Sequence, residues 1–146
     1  MKIRNLVIGI LFLIAGCGPI LIFPGGELDG ETSSAPGDWS SLDDVKTIQL
    51  ETRPEDPYSV NIWAIGISSN VYIHAGANRS AWVEHMESNP NVRVRIVDQL
   101  YELRASRVVL KPEFDDFSNA YEQKYGSRPR NENVTEAYLF RLDIAE

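Results

Sequence analysis

Residues 71–96, "VYIHAGANRSAWVEHMESNPNVRVRI", decide how the chain is read. The opening "VYIHA" carries the β-branched and aromatic side chains that suit a strand. "GANRS" is a loop of small and polar residues. Ser80 is a good helix N-cap, and Trp82, Val83 and Met86 fall toward one side of a helix predicted over 80–88. Asn89-Pro90 stops that helix, after which Val92, Val94 and Ile96 alternate with polar neighbours as in a half-buried strand. The loop poses a functional question. Backbone N–H groups at a helix start, the Ser80 hydroxyl and the Arg79 guanidinium match a cradle for a phosphate. The same residues also make an ordinary capped turn with Arg79 in solvent.

Working outward, "VKTIQLE" (45–51) alternates weakly, and "SVNIWAIGI" (59–67) is a strongly apolar run. It is separated from "NVYIHA" (70–75) only by Ser68-Ser69, as in a hairpin, so three strands precede the first helix. Downstream, a tight turn at Asp98-Gln99 returns the chain through "LYELRASRVVL" (100–110). That turn would set Arg95 opposite Glu102 and Arg93 opposite Arg104, a like-charge pair that calls for a nearby acid, an anionic ligand or a partner. Pro112 suits a first helical position. Phe114, Phe117, Tyr121 and Tyr125 recur at helical spacing, and Gly126 supplies a stop. "AYLFRLD" (137–143) is a last strand. The expected fold is mainly β (α+β), a six-stranded antiparallel barrel in the order βββαββαβ with two covering helices.

This order, together with the small-residue loop at 75–79, Ser80-Ala81-Trp82, Asn89-Pro90 and the Val-rich strand after it, resembles the split β-barrel of the pyridoxamine 5′-phosphate oxidase-like superfamily. It is most similar to the deazaflavin-dependent nitroreductase-like branch, over roughly residues 45–144. The resemblance implies a homodimer holding FMN or a deazaflavin coenzyme in a groove between subunits. Mapped onto this chain, it implies cofactor contacts at Asn61, Trp63, His74, Gly76, Asn78, Arg79, Ser80 and Trp82, with the phosphate over the loop. In that branch a Thr-Gly-Arg-type segment precedes the second strand. Here "ETRPEDPYS" (51–59) puts Glu55 and Asp56 where they would repel a phosphate.

The 146 residues suit one domain. With 14 basic and 21 acidic side chains the net charge is −7, and no basic stripe is present, so nucleic acid is not an expected partner. Cys17 is the only cysteine, and the two histidines lack carboxylates at ligand spacing, so no metal site is expected. Lys2 and Arg4 precede an uncharged run over residues 6–23 that would rise ~27 Å as a helix, near the thickness of a bilayer core. Residues 1–23 are therefore expected to be a hydrophobic anchor helix or, since Ile14-Ala15-Gly16-Cys17 resembles a lipobox, a lipoprotein signal with Cys17 as the lipidation candidate. Residues 24–44 look like an acidic Gly/Pro/Ser linker, with Trp39 packing on the domain edge, and 45–146 form the barrel. The positive residues before the run place the domain at the extracytoplasmic side of a bacterial membrane. Two functions stand open: a membrane-tethered flavin- or deazaflavin-dependent oxidoreductase, or a cofactor-free binding or structural module of the envelope.

Overall fold

Within residues 18–144, which the computed structural model describes, the run "SVNIWAIGI" does not form one strand. It breaks at Trp63 into β2 (Tyr58–Ile62) and β3 (Ala64–Ile67). The remaining elements are β1 (Ile48–Thr52), β4 (Asn70–His74), α1 (Ala81–Ser88), β5 (Asn91–Ile96), β6 (Gln99–Arg107), α2 (Lys111–Tyr125) and β7 (Leu139–Ile144), with a 3-10 turn at Ser40–Asp44. The antiparallel sheet therefore has seven strands rather than six, in the order β2-β1-β5-β6-β7-β4-β3. Its two edge strands are consecutive in the chain with one residue between them. That connection forces the sheet to curl until its edges meet at Trp63, giving a half-barrel.

The break is fixed from α2. The Tyr125 ring stacks on Trp63 at 4.4 Å and 11°. The Tyr125 hydroxyl accepts from the Ala64 N–H at 3.1 Å and lies 3.0 Å from the Lys46 carbonyl. Lys124 donates to the Ala64 carbonyl at 2.8 Å, so backbone groups freed by the break find partners on the helix. α2 has the expected start and stop, Pro112 in its first turn and Gly126 at φ 79°. Phe114 and Phe117 are buried with Ile65, Tyr72 and Leu139 in a cluster between helix and sheet. A second cluster, including Val83, Val92, Val94, Leu103 and Leu142, fills the barrel interior.

The hairpin of β5 and β6 turns at Val97-Asp98, one residue before the expected position, with Val97 at φ 56°. The register shifts by two and keeps the core face, and it sets Arg93 opposite Glu102 instead of Arg104. Unlike charges now face each other where like charges had been expected. On its other side Arg93 lies opposite Glu51 of β1 and grips it with two hydrogen bonds of 2.7 and 2.8 Å. Glu51 is only 3% exposed.

That pair also fastens the segment 24–44, which does not lie free as the expected solvated linker. The Leu28 N–H donates to Glu51, and its carbonyl accepts from Arg93 at 3.2 Å. Leu28, Trp39 and Leu42 are buried. Trp39 goes beyond the edge packing expected of it: its ring sits in the core, edge-on to Tyr101 at 5.0 Å, and its backbone N–H donates to the Ser68 carbonyl at 2.8 Å. Gly66 permits this approach, since a Cβ there would lie 2.2 Å from the Trp39 carbonyl oxygen.

The expected anchor falls outside the described residues over 1–17. Its final part is described and is not helical. Ile20 and Phe23 exchange backbone hydrogen bonds of 2.9 and 3.2 Å around a tight turn, with Leu21 at φ 53°. Among the described residues no helix is long and apolar enough to cross a membrane.

Removing one member of a buried ion pair strands the other without solvent. Arg93→Ala should lower unfolding stability by about 3 kcal/mol in urea denaturation. A loss well under about 1 kcal/mol would show that Glu51 has access to water.

Candidate functional site

The break that closes the barrel also opens a cavity of about 330 Å³. Its walls come from the end of β2 and start of β3 (Asn61, Ile62, Trp63, Ile65), the end of β4 (His74), α2 (Phe117, Tyr121), Thr47, and Leu21 of the amino-terminal turn. No charged side chain lines it among the described residues. Three of the residues singled out from the sequence, Asn61, Trp63 and His74, meet here. They converge because Asn61 and Trp63 flank the end of one edge strand, while His74 ends β4, the neighbour of the other edge.

His74 is the chemically unusual member. Its Nε2 is buried and has no hydrogen-bond partner among the described residues. Its ring lies 5.5 Å from Phe117 and 6.4 Å from Tyr121. Burial lowers its pKa to about 4, so the imidazole is neutral near pH 7. A neutral imidazole with one unmatched polar nitrogen in an aromatic pocket suits a ligand that offers a single complementary polar atom on a flat, uncharged face. The Asn61 amide at the rim donates to the Leu21 carbonyl at 2.9 Å and the Pro19 carbonyl at 3.4 Å.

The loop 76–80 lies next to this cavity through Gly76, at φ 60°, where a Cβ would be 4.0 Å from the His74 ring. Its other features serve the fold. Arg79 is held by Glu87 at 2.6 Å and Glu84 at 3.1 Å. The Asn78 N–H returns to Ala75, the Ser80 N–H to Asn78, and the Val83 and Glu84 N–H groups to Ser80. The Ser80 backbone is extended, as an N-cap should be, yet its hydroxyl makes no cap bond and is buried without a partner among the described residues. Trp82 is buried beside Phe140, away from the cavity lining. The alternative cations are engaged too: Arg53 pairs with Asp56 at 2.9 Å, Arg93 with Glu51, and Arg104 bonds Asn91 at 3.3 Å. Arg79, and the Arg93 and Arg104 whose expected pairing called for an acid or an anion, each already have an intramolecular partner. Among the described residues no group of three His, Cys, Asp or Glu could hold a metal.

Sequence reasoning missed Leu21, Thr47, Phe117 and Tyr121 as cavity residues. The two aromatics announced themselves by helical spacing, but that pattern reads as core. Their second role follows only from where the break in 59–67 lies.

The chain resembles solved structures in its fold. One, from Bacteroides thetaiotaomicron and named for 5-nitroimidazole antibiotic resistance, shares 12% identity at a TM-score of 0.57, covering 72% of this chain and 76% of that one. Another, from Listeria innocua and named for pyridoxamine 5′-phosphate oxidase, shares 13% identity at 0.57 over 72% and 88%. An FAD-binding protein from Mesorhizobium loti shares 15% at 0.51 over 72% and 85%. The fold is the pyridoxamine 5′-phosphate oxidase-like split barrel. At these identities what the split-barrel proteins share with this chain is the fold. No protein-family model and no curated protein sequence matches the chain.

The His74 shift carries a pH dependence. Its pKa is depressed relative to an unfolded value near 6.5, so between pH 6.5 and 4 the unfolded chain binds the extra proton. The contribution of neutral His74 is complete above pH 6.5 and is lost as pH falls toward 4. Between pH 7.5 and 4.5 the wild type should lose roughly 1–2 kcal/mol more than His74→Gln, allowing for partial exposure of the ring. Parallel pH–stability curves would contradict the burial of this imidazole.

Proposed function

We propose that this split barrel binds a flavin-type cofactor, FMN or a deazaflavin, with its ring in the cavity under Trp63, and acts as an oxidoreductase. The observation that carries the reading is the convergence of Asn61, Trp63 and His74 on one uncharged aromatic cavity with an unmatched His74 Nε2. The name of the Mesorhizobium split barrel, an FAD-binding protein, supports it, as does the oxidase name of the Listeria one. A flavin bound there would supply hydride and electron transfer, which explains why the chain needs no acid–base pair of its own. In this reading the ring edge packs against Trp63 and Tyr121 on one side, His74 offers Nε2 to a ring polar atom, and Asn61 orients the rim. Gly76 and the Asn78 side chain would meet the phosphate through the loop, and Ser80 would do so only if its buried hydroxyl turned outward. Arg79 would contribute less than its charge suggests, because it would have to leave Glu84 and Glu87.

The proposal includes a homodimer in which a second copy covers the open side of the cavity. It also includes tethering at the extracytoplasmic face of a bacterial membrane through the apolar residues before Gly18. Since residues 18–23 are described and not helical, the uncharged run left for an anchor helix is 6–17. Those 12 residues would rise only ~18 Å as a helix, short of the ~30 Å core but within the length of a signal-peptide apolar region. The lipid-modified Cys17 is thereby favoured over a spanning helix.

A second reading, a cofactor-free envelope module, is favoured by one specific observation: Arg79, the arginine of the loop, is paired with Glu84 and Glu87, and Arg53 and Arg93 are paired with Asp56 and Glu51. Fluorescence titration of the full chain with FMN separates the two. Micromolar binding is expected, weakened roughly tenfold by Trp63→Ala, which loses a stacking surface of about 1–1.5 kcal/mol, and less than threefold by Arg79→Ala. Absence of binding at tens of micromolar, for FMN and deazaflavin alike, would leave the cofactor-free module.

A further inference from the structure

We propose that the turn at residues 20–23 is a bilayer-contacting surface, and that it orients the barrel with its Trp63 end toward the lipid. The inference rests on the tethering part of the proposed function and not on any cofactor. The four residues Ile20, Leu21, Ile22 and Phe23 are 59 to 89% exposed, a contiguous apolar patch of a kind that soluble surfaces avoid. They are not loose. The Asn61 amide holds the Leu21 carbonyl of the turn and the Pro19 carbonyl just before it, and a Cβ on Gly18 would lie against Gln49, Leu28 and Arg95 at 3.5 to 3.8 Å. The turn is therefore presented by the barrel rather than continuing whatever precedes it.

Strand register identifies what else lies at that end. β1 pairs Ile48 with Ile62 and Gln49 with Arg95, so the residues just beyond, Trp63 and Val97, reach the same end of the barrel. Both are exposed large apolar side chains. Val97 is held outward by its left-handed backbone in the hairpin turn. Three separate chain segments thus bring apolar side chains to one end, and Gly18, the first described residue, lies against Gln49 and Arg95 at that same end. An exposed apolar end that follows closely on the lipidation candidate Cys17 fits the boundary between lipid headgroups and acyl chains, where Trp, Phe and Ile side chains are accommodated. Because Leu21 also lines the cavity, one wall of the cavity then lies beside the headgroups while the second copy covers its open side.

The test uses the full chain in vesicles of phosphatidylcholine and phosphatidylglycerol. A bimane label is placed at Ile22→Cys, with the wild-type chain taken through the same labelling as the blank for Cys17. A label at Glu55→Cys, in the β1–β2 turn at the opposite end of those strands, is the control. Lipids carrying a nitroxide near the headgroup should quench the label at 22 about twofold or more and leave that at 55 nearly unchanged. Vesicle-bound protein whose two labels are quenched alike would overturn the orientation while leaving the tether intact. Protein that does not float with vesicles at all would overturn the tether and this inference together. Neither result bears on flavin binding.

Discussion

The contact between Tyr125 and the break at Trp63 is the constraint on which the architecture depends. A single apolar run supplies both edges of the sheet, so the barrel can close only if the chain changes sheet position at one residue. A broken strand leaves backbone donors and acceptors without ladder partners. Tyr125 and Lys124 satisfy them from the last turn of α2, and the stacked ring keeps Trp63 from turning inward. The helix thus does more than cover a barrel opening. It fixes the place where the edges meet, and the cavity lies at that place because β2 and β3 diverge there.

A second constraint acts on the opposite side of the register. Arg93 stands between Glu51 and Glu102 across two strand pairs, and its grip on Glu51 extends to both backbone groups of Leu28. Charge pairing selects the hairpin register, and the same pair draws residues before the first strand onto the barrel. Burial of Trp39 opposite Gly66 continues that attachment. The amino-terminal segment is consequently part of the folded unit, which is why its last apolar residues are presented at a defined end of the barrel rather than trailing from it.

The sequence made the alternation of β5, the two helices with their stops, the Ser68-Ser69 hairpin and the overall split-barrel order legible, because each rests on local periodicity or turn chemistry. Three features escaped it for physical reasons. The break at Trp63 has no glycine or proline to mark it and is imposed by a tyrosine 62 positions away. The turn at Val97-Asp98 uses a β-branched residue at positive φ, against local preference, since the alternative would oppose two arginines. Residues 24–44 have a linker's composition, yet three buried side chains and one ion pair override it. At the site, Asn61, Trp63 and His74 could be named in advance, whereas the neutralisation of Arg79 by Glu84 and Glu87 depends on side-chain geometry along α1 that spacing does not express.

The chemistry of the site follows from what the cavity lacks. It contains no charge, one unmatched imidazole nitrogen and an aromatic wall, so it favours a flat ring with a single well-placed polar atom over an anion. Nitrogen-15 NMR of the His74 imidazole in the full chain, recorded with and without FMN at pH 7, tests this most directly. The account predicts a neutral ring in the free protein and a displaced Nε2 resonance when FMN binds. FMN binding that leaves the His74 nitrogens unmoved, or an imidazole already protonated at pH 7, would contradict it.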